Sequence, residues 1–140
     1  MRSAHDFEVE QMSKELELQS QKQSSEQRFE LFMNRLMSDR KTWILIDEHG
    51  CVMLTDGDED LVPFWPSEET ARLWASDEWS DCQPKALSFD ELMEKWIPGM
   101  EEDDLAMIIF PADDLKGRIL HPWEFSLAVT KKQEKLARKN

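Results

Sequence analysis

An α+β fold in a single domain is what this 140-residue sequence predicts, and three observations carry the expectation. Amphipathic helical runs alternate irregularly with short β-branched runs, not in the strict order of a doubly wound parallel sheet. The length suits one hydrophobic core. Only four glycines, six prolines and no long low-complexity tract leave most of the chain able to fold. We expect a mainly antiparallel or mixed sheet of five to six strands, with about four helices packed on it. Residues 1–24, rich in Gln, Ser and Glu, read as a flexible or loosely helical extension. The domain proper spans 25–130, and 131–140 form the basic end of the last helix and a tail.

The first helix is marked by Phe29, Phe32, Met33 and Leu36 at i, i+3, i+4 and i+7, with Ser24 or Ser25 as cap. TWILID (42–47) and CVMLT (51–55), joined by Glu48-His49-Gly50, predict a hairpin. DGDED (56–60) turns the chain into a third strand at Leu61–Trp65, completing a meander. Pro63 inside that run argues for an edge position or a bulge. Ser67 caps a helix with Glu68 and Glu69 in its first turn, where the dipole favours carboxylates, and with Trp74 on its apolar face.

Lys85–Leu87 predicts a brief strand, and Ser88 with Glu91 a capping box. Phe89, Leu92, Met93, Trp96 and Ile97 then repeat at helical spacing until Pro98-Gly99, which should stop the helix. LAMIIF (105–110) is the most continuously apolar run and the expected central strand. Gly117–Leu120 returns as another strand. Pro122 opens the last helix, with Trp123, Leu127 and Ala128 expected inward. The lysines that follow suit the negative end of its dipole.

Charge and composition exclude several function classes. The net charge is −13: residues 1–40 carry −2, residues 41–125 carry −15 and residues 126–140 carry +4. So acidic a body disfavours direct binding to nucleic acid or to an anionic membrane and favours a basic protein partner. No run of eighteen apolar residues predicts a membrane span. The N-terminus lacks the apolar core of a secretory signal, and two cysteines without a framework suggest reduced thiols. A cytoplasmic protein is expected.

Candidate chemistry is sparse. No nucleophile elbow, P-loop, dinucleotide fingerprint or HExxH occurs, and no cofactor or metal is expected. His49 and Cys51 flank a turn and are the one thiol–imidazole pairing in sequence; an apolar strand position favours a structural Cys51. Cys82, in the polar stretch SDCQP, reads as the more exposed thiol. Asp56, Asp58 and Asp60 alternate as oxygen ligands would, but an EF-hand needs its glycine four positions later. Among the six tryptophans, Trp74 and Trp96 fall on helical apolar faces and Trp43 starts a buried strand. Trp79, flanked by Glu78 and Ser80, and Trp65, at the end of a strand, are the expected partner-binding aromatics.

The motif order is W-x-L-x-D-x-x-G at Trp43–Gly50, V-P-F-W-P-S-x-E-x-A-x-x-W at Val62–Trp74, FDELMEKWIPG at Phe89–Gly99, and I-I-F-P with a later G-x-x-x-x-P between Ile108 and Pro122. This order resembles the bacterial family catalogued as domain of unknown function 2750, over residues 25–130. The strand–PSEE–helix passage also resembles, more loosely, the N-terminal domain of secretion-enhancer proteins. Neither resemblance implies a reaction, a cofactor or a catalytic residue. The sequence therefore favours a non-enzymatic interaction module, in its most specific form an acidic inhibitor or immunity-type protein. The alternatives are an enzyme using a Cys/His pair and a weak divalent-cation binder.

Overall fold

The computed structural model describes residues 23–76, 79–112 and 117–138. Residues 1–22 of the expected 1–24 extension, and the end of the tail, 139–140, lie outside the described residues. Helix α1, Ser25–Asp39, starts at Ser24, whose hydroxyl accepts from the Gln27 amide while the Gln27 side chain accepts from the Ser24 amide. Its buried face is the predicted Phe29, Phe32, Met33 and Leu36, joined by Arg28. Arg28 is only 2% exposed; its Nε donates to the Phe110 carbonyl at 3.0 Å and its Nη1 to the Gln23 carbonyl. The helix ends at Arg40 in the left-handed conformation (φ 57°), whose guanidinium lies 3.8 Å above the Phe89 ring.

Strand β1, Lys41–Asp47, is the hub of the first sheet, ordered β2-β1-β5. Strand β5, Gln83–Ser88, pairs antiparallel along one edge of β1 from Lys41↔Ser88 to Ile46↔Gln83. The other edge carries β2, Gly50–Cys51, and then, farther along, Trp65. The second sheet is ordered β3-β4-β6-β7, with β3 Leu54–Asp56, β4 Glu59–Phe64, β6 Ala106–Ile109 and β7 Arg118–Leu120. The β4–β6 pair is parallel and the others antiparallel, so the sheet is mixed.

The α+β class and, among the described residues, the four helices hold, while the described strands divide as seven in two sheets where one sheet of five or six was expected. The expected strand 51–55 is broken: Val52 donates to the Leu45 carbonyl at 2.8 Å, and beyond it Leu54–Asp56 pairs only with β4. The chain changes sheet at Val52–Met53, so the simple meander does not form. Pro63 lies past Leu61, the last residue that β3 pairs, so its missing N–H falls on a locally open stretch. LAMIIF is indeed interior, with β6 buried at all four positions. Gly117 allows a close approach there: a Cβ would meet Ile108 Cγ1 and the Ile109 carbonyl, each at 2.8 Å.

Helix α2, Glu68–Trp74, is capped by Ser67. Helix α3 is composite, an α-turn Phe89–Glu91, a π-turn Leu92–Trp96 and an α-segment Ile97–Glu102. Its capping box of Ser88 and Glu91 is as predicted, but Pro98-Gly99 does not stop it. The reason is the π-turn. The Ile97 amide reaches back to the Leu92 carbonyl, so Pro98 enters the first turn of the next α-segment, where its missing N–H breaks no bond. Helix α4 is Pro122–Arg138.

The two sheets meet at one bridge, where the Trp43 and Trp65 amides and carbonyls exchange hydrogen bonds of 3.0 and 2.9 Å. Thr42 Oγ1 adds a bond to the Trp65 carbonyl at 3.0 Å, and Trp65 Nε1 donates to the Pro111 carbonyl at 3.3 Å. Trp65→Phe keeps an aromatic ring but leaves that buried carbonyl unpaired. We expect a loss of about 1–3 kcal/mol in denaturant-derived stability. Trp79→Phe should cost less than about 1 kcal/mol, because Trp79 is only half-buried. Equal costs at the two positions would contradict this ranking.

Candidate functional site

The two tryptophans expected at a partner surface differ in exposure, Trp79 half-buried and Trp65 fully buried. Trp65 is 0% exposed, so the rim position predicted for it is corrected: backbone pairing to Trp43 carries it under the sheet junction. Trp65, Trp74 and Trp79 instead make a continuous stack, with ring centroids 5.3 and 5.6 Å apart. Trp79 is the half-buried outer end of that stack and packs against the core. Trp96 is half-buried too, less inward than periodicity predicts.

The thiols are also reversed from expectation. Cys82 is buried at 7%, because its amide bonds to the Trp79 carbonyl and draws it against the core. Cys51 is half-buried in a cavity of about 260 Å³ with Val62, Lys95, Trp96, Met100 and Leu105. Burial raises its pKa, and the Asp47 charge adds to that rise. Burial likewise raises the Cys82 pKa, with Asp47 and Asp81 contributing. His49 is exposed and lies 3.4 Å from Glu48, outside the lining of the Cys51 cavity. Neither thiol has the electropositive setting that makes a nucleophile. Among the described residues, no three His, Cys, Asp or Glu side chains gather as a metal site.

A cavity of about 500 Å³ lies between α1 and α4. Its floor is Phe29, Met33, Leu120 and Ala128, and Trp123 and Leu127 stand at its lip, 61% and 48% exposed. This corrects the inward placement of Trp123 and Leu127. Phe125 and Val129 are the buried pair of α4, and Ala128 is half-buried beside them. The 123/127 and 125/129 stripes are two positions apart, about 200° around a helix, so only one can face the core. The sequence carried the deciding signal: the stripe 123, 127, 131, 135 continues as lysines, whereas 125 and 129 do not.

Cations ring the groove. Arg118, Lys131, Lys132 and Lys135 line it against Glu30 and Glu124, a local excess of two positive charges on a chain of −13. Arg118 stacks 4.3 Å above Phe29. Glu124 is occupied at the helix start, where its carboxylate accepts from the His121 amide at 2.9 Å. Lys132 bonds Glu30 at 2.7 Å and ties α4 to α1. Among the described residues, Lys131 and Lys135 make no ion pair within 4 Å. The arrangement offers apolar contact and uncommitted positive charge side by side, and no acid–base or nucleophilic machinery.

Two expectations follow. The Lys132 hydrogen bond lowers the Glu30 pKa against the opposing effect of burial, and Lys132 and Lys135 charges assist. A carboxylate lowered on folding stabilises above its unfolded pKa and loses that contribution as pH falls through the folded value. Glu30 is 58% exposed, so Glu30→Gln should cost no more than about 1 kcal/mol at pH 7, and nothing once the carboxyl is protonated. Thermal melts of both proteins from pH 7 to pH 2 measure this; a gap that widens in acid would contradict it. For the thiols, a maleimide at pH 8 should label Cys51 and Cys82 more slowly than free cysteine, reaching the free rate on unfolding. Rapid labelling of folded Cys51 would restore the nucleophile reading.

The sheet junction, the Ser67 and Ser88 caps and the groove floor all fall within one stretch of sequence that a family model matches. No curated protein matches the chain significantly. The model of the family described as "Protein of unknown function (DUF2750)" matches residues 29–129, well over half of the chain, and it supports no likeness to secretion-enhancer proteins. The groove's floor and Trp123 lie inside the matched residues, with Lys131, Lys132 and Lys135 just beyond them. The chain thus belongs to the DUF2750 family of proteins of unknown function.

Proposed function

We propose that this protein is a non-enzymatic interaction module whose binding face is the groove between α1 and α4. Its partner is a protein segment that presents apolar side chains flanked by carboxylates. The observation that carries this reading is Trp123, 61% exposed on a helix and flanked along the same stripe by Leu127, Lys131 and Lys135. An exposed tryptophan costs hydration, and tryptophan is enriched among residues that dominate binding energy. A cavity of about 500 Å³ admits a few apolar side chains, not a flat surface contact. The cations around it would pair with carboxylates on the same segment.

Overall charge pointed to a basic partner; the local field of the groove has the opposite sign, and it is the local field that a docked segment meets within a Debye length of about 8 Å. The acidic remainder then works as a filter. It repels polyanions such as nucleic acid at long range, leaving the groove to segments whose carboxylates are few and matched to the lysines. A Cys/His enzyme and a cation binder have no comparable observation in their favour.

The test uses a fluorescein-labelled helical peptide with Glu on one face and Leu on the other, and its Lys/Leu counterpart. The acidic peptide should bind with a Kd on the order of 10–100 μM, weakened by salt, and the basic one should not bind at the groove. Trp123→Ala should weaken binding about thirtyfold, the loss of a single hot spot worth about 2 kcal/mol. Lys131→Glu with Lys135→Glu should abolish the preference for the acidic peptide. A signal equal for both peptides, or unmoved by these variants, would overturn the reading.

A further inference from the structure

Resting on that reading of the groove, we infer that its resident occupant is the chain's own N-terminal segment, residues 6–17, which covers Trp123 and competes with outside ligands. The chemistry of the two surfaces is complementary. DFEVEQMSKELE carries five carboxylates and one lysine, with Phe7, Val9, Met12 and Leu16 interspersed. That is the anionic, apolar pattern the groove calls for, and the lip supplies Arg118, Lys131 and Lys135 to meet it.

The tether is short and correctly placed. Glu30 of α1 contacts Lys132 of α4, and two residues later Phe32 packs on Phe125, with centroids 6.3 Å apart. The chain preceding Ser24 enters α1 within two turns of Glu30, which Lys132 holds in the lysine-rich half of the groove. Glu30 is only about 8 Å along α1 from its first residue. From Lys135 to Trp123 the α4 stripe covers about 18 Å, a distance that twelve residues span even as a helix. Residues 18–23 remain as connection.

Proximity makes a weak contact sufficient. A connection of six residues gives an effective concentration of about 1 mM. An intramolecular contact with a dissociation constant of about 0.1 mM would then cover the groove roughly 90% of the time. It would weaken an outside ligand about tenfold. A second copy of the chain is a poorer occupant. Groove-to-groove pairing about a two-fold axis would bring together two copies of the same net-cationic face.

The experiment keeps the chain at full length. Hydroxyl-radical footprinting read by mass spectrometry reports Trp123 oxidation, and the Glu/Leu peptide serves as outside probe. In the variant E8Q/E10Q/E15Q/E17Q, Trp123 should oxidise about threefold faster or more, and the probe should bind about tenfold tighter. Lys at those four positions combined with K131E/K135E should restore slow oxidation. Equal Trp123 oxidation in the parent chain and the Gln variant would overturn the inference. If the probe still binds both equally and through Trp123, the groove keeps its partner reading and loses only this occupant. If Trp123 is unmasked by the Gln variant yet the probe binds neither protein, the intramolecular contact stands and the partner reading falls.

Discussion

Everything in this fold hangs on the bridge between Trp43 and Trp65. Strand β1 has one edge filled by β5, so only its other edge can receive the second sheet, and β2 occupies part of that edge first. What remains is the stretch around Trp43, where two amide–carbonyl bonds are exchanged with Trp65. Two such bonds contribute only about 1–3 kcal/mol net, too little to join two sheets alone. Side chains add the rest. Thr42 bonds the same carbonyl, Trp65 Nε1 reaches Pro111, and the Trp65 ring is buried under Trp74. Burying an aromatic of that size contributes about as much as several such hydrogen bonds.

The groove inherits its geometry from that junction. Helix α1 leads directly into β1, on one side of the bridge. Helix α4 follows β7, which pairs with β6 and through it with β4, on the other side. Arg28 closes the loop from α1 back to the end of β6: its guanidinium bonds the Phe110 carbonyl, while the Phe110 amide bonds the Phe64 carbonyl, one residue before Trp65. A buried guanidinium is costly unless its donors are paired, so Arg28 fixes α1 to one position. The groove is therefore a gap between two anchored helices, not a loop surface free to reshape.

Where the chemistry is local, the sequence announces it. Helix α1, the Ser67 and Ser88 caps and the buried β6 run were all legible, because periodicity and capping depend on residues within one or two turns. Failures occurred where a distant partner decides. The 51–55 run divides between sheets because Leu45 claims Val52 while β4 claims Leu54. Pro98 is accommodated by a π-turn that no propensity rule anticipates. Trp65 looked peripheral because nothing nearby in sequence shows that Trp43 pairs with it. In α4 two apolar stripes competed, and the larger residues of the outer stripe hid the answer that the lysines gave. The candidate site was missed for that one reason: a tryptophan on a helix was assumed to face inward.

That outward tryptophan is stable in place because the charges around it divide into two roles. Lys132 is spent on Glu30 and sets the spacing of α1 and α4. Lys131 and Lys135, on the Trp123–Leu127 stripe, hold no such partner within 4 Å among the described residues. A ligand carboxylate can meet these two without breaking the tie that keeps the groove open. Had Lys132 been the free cation, docking an acidic segment would have competed with Glu30 and loosened the wall it docks against. Separating the structural cation from the available ones, on neighbouring positions of one helix, lets the groove accept negative charge at no cost to its own shape. In a chain otherwise so acidic, that separation leaves a small cationic patch, because both carboxylates of the groove are engaged elsewhere, Glu30 by Lys132 and Glu124 by the His121 amide.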